Sequence, residues 1–143
     1  MWCSQRSLTL DREDTDYITA LRFVHLPHND GSQGHAEFIF CGANGGAVLR
    51  IDVSALAAAT GEPDATLAAV SASPFATTLA QHEGTVLALE ALDTIVASAG
   101  EDGVVTVFGD AGADQPQTLA RLEHKGAVRA VCLWEGRAAW ADA

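Results

Sequence analysis

His82 to Asp110, HEGTVLALEALDTIVASAGEDGVVTVFGD, decides how this chain is read. Thr85 to Leu89, Thr94 to Ala97 and Gly103 to Phe108 are short runs of β-branched and aliphatic residues, each the length of a strand. Asp93 marks a first reversal and Gly100-Glu101-Asp102-Gly103 a second, where a glycine after an aspartate relieves the positive φ of a tight hairpin. The stretch therefore predicts three antiparallel strands with almost nothing left over. A related opening recurs downstream. HEGTVLAL at His82 and HKGAVRAV at His124 agree in His, Gly, Val and Ala at the same offsets, 42 residues apart.

A His-x-Gly-x-Val opening, a small-residue run ending in Asp, then alternating β-branched residues, an aromatic and an Asp together resemble one blade of a WD-repeat β-propeller, whose period is roughly 40–45 residues. In that family a His, an Asp, a Ser or Thr and a Trp form a hydrogen-bonded set. By position these fall on His82, Asp102, Gly100 and Phe108. Gly100 has no hydroxyl and Phe108 no indole N–H, so the resemblance implies the His82 to Asp102 link alone. It implies an all-β fold, a propeller fragment of about three blades of four-stranded antiparallel sheet, which falls short of the roughly four to eight blades of closed rings.

Residues 1–16 then read as the tail of a preceding blade, with Ser7 to Leu10 as its outer strand. Residues 17–81 are a blade, 82–123 the next, and 124–143 the start of a further one. In the first of these, Tyr17 to Leu26 is expected as the inner strand with Ile18, Ala20 and Leu21 or Phe23 buried, followed by Glu37 to Cys41 and Ala47 to Val53. Asn44 and Gly45 occupy the turn where Asp102 sits in the better copy, and Ile51-Asp52 stands where that family has Trp-Asp. The excess length lies in an insertion, 54–74, whose alanines favour one short helix before Gly61. Phe75 to Gln81 resumes as the outer strand, and residues 109–116 read as a plain turn. A chain cut in this way is part of a longer protein, or is completed by other chains.

Composition narrows the function. An apolar content of 48% is that of a folded domain, and a net charge of −11 without a Lys/Arg cluster argues against nucleic-acid binding. Three cysteines without paired spacing suit a reducing compartment, and no apolar run approaches a membrane span, so cytoplasm or nucleus is the expected location. His25, His28 and His35, with Asp30 between, have metal-like composition but no recognised ligand spacing; an exposed loop is the reading, a metal site the alternative. His82 could serve as a general base, yet no GxSxG and no phosphate-binding glycine loop accompanies it. Trp134 and Trp140 are expected to pack between blades.

The resemblance implies a non-catalytic platform for other proteins, with no cofactor. Its candidate interaction face carries Asn44, Thr85, Glu101, Ala127 and Arg129, and the acidity of Glu83 and Glu101 favours partners with basic surfaces. The alternatives are a structural subunit completed by neighbouring chains and a propeller-based enzyme.

Overall fold

Alternating side chains and glycine-bearing turns fold this chain into successive antiparallel meanders. The computed structural model describes residues 8–9, 17–27, 35–60, 70–71, 75–135 and 137–142. In the first sheet, strands β2 (Ile18–Pro27), β3 (His35–Ala43), β4 (Ala47–Asp52) and β6 (Ala76–Gln81) lie side by side in chain order. The second repeats the arrangement with β7 (Val86–Leu92), β8 (Ile95–Gly100), β9 (Val104–Gly109) and β10 (Gln117–Glu123). β11 (Val128–Trp134) and β12 (Arg137–Asp142) form a hairpin. All of these neighbours pair antiparallel. The chain is thus mostly β, with two four-stranded sheets, neither closed on itself among the described residues.

The sheets are stacked, and alternation decides what lies between them. Val96 pairs with Phe108 and Ala97 with Val107, so consecutive residues of β8 and β9 point to opposite faces. Val96 and Phe108 join Val24, Leu26, Phe38, Phe40 and Val48 of the first sheet in one core cluster. Ala97, Ala99, Val105 and Val107 pack instead with Val128, Val131 and Leu133 of the hairpin. The second sheet is therefore covered on both sides, which is why VASAG and VVTVFG read as nearly unbroken apolar runs.

Local chemistry sets the turns. Gly46 and Gly103 hold φ of 87° and 76°, the left-handed region that glycine enters without a Cβ penalty. The left-handed residue of the first turn is thus Gly46, next to the Asn44-Gly45 pair read from the sequence. Asp93, at φ 51°, makes the tight β7–β8 reversal. Helix α1 (Val53–Thr60) begins where the Asp52 carboxylate accepts a bond from the Ala55 N–H at 2.8 Å, an N-cap that satisfies one of the orphan donors of the helix. Asp52 thus starts the insertion.

Two expectations need correction. Ile18, Leu21 and Phe23 are exposed, and Val24 and Leu26 are the buried residues of β2, with Ala20 half-buried. Trp134 is 44% exposed instead of packed between sheets; Trp2 and the Trp140 side chain lie outside the described residues. Leu8–Thr9 (β1) pairs in parallel with Val70–Ser71 (β5). The remaining residues of 1–16, the 28–34 loop and most of the insertion after Thr60 lie outside the described residues.

Residues 110–115 form the turn expected of the 109–116 segment, and one contact gives that turn a further role. Arg50, reaching from β4, is buried there: its guanidinium donates to the Ala111 carbonyl at 2.8 Å and to that of Ala113, and lies 5.3 Å from the Phe38 ring centroid. Burial lowers its pKa, partly opposed by the charges of Asp52 and Asp114. The loop of one sheet is thereby tied to the strand of the other. Arg50→Met should lower stability by about 1–2 kcal/mol, because two carbonyls lose a buried donor. A urea midpoint that does not move would remove this role.

Candidate functional site

The strand-connecting turns build a rim that carries polar contacts between the sheets. At its centre His82 follows β6 and leads toward β7. Its ring Nδ1 lies 3.0 and 3.1 Å from the two carboxylate oxygens of Asp102, and its Nε2 lies 2.9 Å from the Ser98 hydroxyl. With a carboxylate at Nδ1 the proton sits there, which leaves Nε2 to accept from Ser98. Asp102 also accepts the Glu83 and Val104 N–H groups, each at 3.0 Å. Burial works against ionisation of Asp102, but these bonds and the His82 ring outweigh it and hold the carboxyl below its usual range.

Ser98, missing from the sequence-level set, is the hydroxyl partner, and Gly100 is not. Val96, Ser98 and Gly100 share one face of β8 by alternation. A Cβ at Gly100 would stand 2.7 Å from Nδ1 of His82 and 2.8 Å from the Asp102 carboxylate, so the ring lies directly over Gly100 and reaches back to the next residue on that face. The signal was there in the small-residue run, but two positions further from Asp102 than the family pattern suggests.

An Asp–His–Ser relay of this connectivity is also the geometry that activates a serine nucleophile. Accessibility separates the two uses. Ser98 has no exposed surface and His82 is 4% exposed, so no substrate carbonyl can approach the hydroxyl in this conformation. The relay acts as a staple between the incoming segment, β8 and the β8–β9 turn.

The same backbone bonds recur from sheet to sheet. The His82 N–H donates to the Gly46 carbonyl at 2.9 Å, and the His124 N–H to that of Gly103 at 2.8 Å. The Asn44 N–H donates to the Tyr17 carbonyl and the Glu101 N–H to that of Thr85; in return the Tyr17 N–H meets the Asn44 side chain at 2.8 Å and the Thr85 N–H the Glu101 carboxylate at 3.1 Å. Gly46 with His82, Thr85 with Glu101, and Gly103 with His124 thus form one continuous rim. His124 differs from His82 in its ring: Nδ1 accepts from the Gly126 N–H at 3.3 Å.

Of the proposed interaction residues, Thr85, Glu101 and Arg129 come together, and Asn44 holds the corresponding place one sheet earlier. Hydrogen bonds from Thr85 lower the pKa of Glu101, and the Arg129 charge adds to them. Ala127 is half-buried before β11.

The histidine set is not assembled as a metal site by the described residues. His25 lies 3.4 Å from Glu37 and edge-on to Phe23, while His28 and Asp30 lie outside the described residues. No three potential ligand side chains stand together among the described residues. A cleft of about 210 Å³ between Thr77, Thr78, Leu79 and residues 114–116 falls below the roughly 300–1,000 Å³ usual for ligand pockets. Cys41 is buried, its thiol pushed up to about 11 by that burial, which leaves little thiolate to react. No helix among the described residues is long and apolar enough to cross a membrane.

No protein-family model matches this chain, no curated protein does, and no solved structure does.

Proposed function

We propose that this chain is part of a WD-repeat-like β-propeller and serves as a non-catalytic platform for other proteins. One observation carries the reading: the turn glycine of each four-stranded sheet accepts the N–H of the histidine that opens the next element, at Gly46 and His82 and again at Gly103 and His124. A bond repeated at equivalent places is what a repeat architecture requires, since each unit buries its faces only against its neighbours. The staple at His82 stiffens the rim, and stiff turns projecting from successive sheets can hold a partner with little ordering cost. A cytoplasmic or nuclear setting suits the buried, unpaired Cys41.

The partner this rim favours is a protein surface rich in Lys or Arg. Glu83 and Glu101 are both exposed on it, and the chain carries −11 overall. Immobilised chain should capture a Lys/Arg-rich peptide more weakly after Glu101→Lys, by roughly 3–10-fold and most at low salt, because rim charges act mainly through steering. Unchanged capture at low salt would reject this face.

A second reading, a structural subunit completed by neighbouring chains, is favoured by the exposed apolar side chains of Leu21 and Phe23 on β2 and of Trp134 on β11.

A further inference from the structure

Each four-stranded sheet has an outer strand, β6 in the first and β10 in the second, that is paired on one side only among the described residues. Such an edge turns backbone N–H and C=O groups outward, and bulges or charged side chains keep a stray strand from pairing with them. Both edges are bulged, at Leu79 in β6 and at Leu119 in β10. The longer regular stretch beside each bulge differs in charge. In β10 it is residues 120–123, where Arg121 and Glu123 are exposed and lie 4.0 Å apart. In β6 it is residues 76–78, Ala-Thr-Thr, with no charge at all.

The unguarded edge also has a wall beside it. Thr77 and Thr78 point to opposite faces of the sheet and both are exposed, so neither face shields the edge there. Residues 114–116 stand across from them, and a cleft of about 210 Å³ lies between, lined by Thr77, Thr78, Leu79, Asp114, Gln115 and Pro116. That volume is short of a small-molecule pocket but has room for a side chain of an added strand. Asp114 is exposed and is the one charge lining the cleft among the described residues. The wall is fixed in place, because the Ala111 and Ala113 carbonyls accept bonds from the buried Arg50 of the first sheet. A site held in this way needs little ordering when it is filled.

We propose that β6 accepts an extended segment of a partner protein as a fifth strand of the first sheet, with a Lys or Arg of that segment seated in the cleft against Asp114. Main-chain pairing supplies the affinity, and the cleft selects the side chain. The cation follows from Asp114 and from the net charge of −11, which disfavours a second copy of this acidic chain as the added strand. Strand direction puts this site at the opposite end of the sheets from His82 and Glu101, so it is separate from the rim and does not rest on the propeller reading.

Amide NMR of the whole chain, titrated with a blocked peptide of about eight residues that alternates Thr and Val around one central Lys, tests this. The expected result is saturable shifts of the 76–79 amides, with those of 120–123 unmoved. Methylating alternate N–H groups of the peptide should abolish them, since pairing then fails. Exchanging the peptide Lys for Glu should weaken binding roughly threefold at low salt, the scale of one exposed ion pair. Asp114→Asn, checked for folding by its own spectrum, should remove that difference. Glu101→Lys, which tests the rim, should leave the 76–79 shifts in place. No shift of 76–79 at millimolar peptide, equal shifts of both edges, or a Lys-to-Glu difference that survives Asp114→Asn overturns the proposal. Shifts of 76–79 that grow with protein concentration and no peptide overturn it as well, because the occupant is then a second copy.

Discussion

Phe108→Ala is expected to cost about 3–5 kcal/mol of folding stability, the range for removing a large aromatic from a packed core. Phe108 is 2% exposed and sits in the cluster between the first and second sheets, with Phe40, Val48 and Val96 around it. The contact is between layers, so the cavity cannot collapse without shifting a whole sheet whose other face is packed on the hairpin. Domains of this size are stable by only about 5–15 kcal/mol, so the loss is a large fraction of the total. Chemical denaturation with an unchanged m-value and a lower midpoint is the expected outcome. A loss under about 1 kcal/mol would mean that the sheets are not packed through Phe108, and the stacked order would have to be abandoned.

The parts of this fold that were legible are those governed by short-range chemistry. Asp93 and Gly103 announce their turns through φ preferences, and the alanines before Gly61 announce α1. The His82 to Asp102 contact was reached through the resemblance to a WD-repeat blade, which pairs the opening histidine with an aspartate 20 residues further on. What was not legible depends on neighbours. Ile18 and Leu21 stand in the same places relative to the pairing slip of β2 as Val86 and Leu89 do in β7, and an alternation rule cannot tell a covered position from an exposed one. The pattern predicted which residues point together, and the stacking decided whether anything lay over them. Arg50 was missed for a similar reason. A single cation in an apolar strand gives no hint that a loop 61 residues later will turn its carbonyls toward it. Ser98 was hidden by geometry: the ring of His82 lies over Gly100, so the hydroxyl that meets it comes from the residue beyond.

Asp102→Ala is expected to lower stability by about 2–3 kcal/mol at neutral pH, since it strips the acceptor from the buried His82 ring and from two backbone N–H groups at once. Its pH dependence distinguishes this staple from simple loss of packing. The folded carboxyl is held below the ordinary aspartate value, so in the unfolded chain Asp102 takes up its proton at higher pH than in the folded one. Its contribution is therefore complete above the unfolded value, about 3.9, and is lost as pH falls through the lower folded value. The wild type should thus lose stability on acidification more steeply than Asp102→Asn, which keeps the shape and has no proton to bind at that site. Ser98→Ala should act on the other ring nitrogen and leave that acid limb in place, with a loss of about 1 kcal/mol. Thermal melts from pH 7 to pH 3 on the three proteins decide the matter. Parallel pH curves for wild type and Asp102→Asn would mean that the carboxylate is not held ionised by these partners. The rim would then owe its stiffness to the repeated backbone bonds at Gly46 and Gly103 alone.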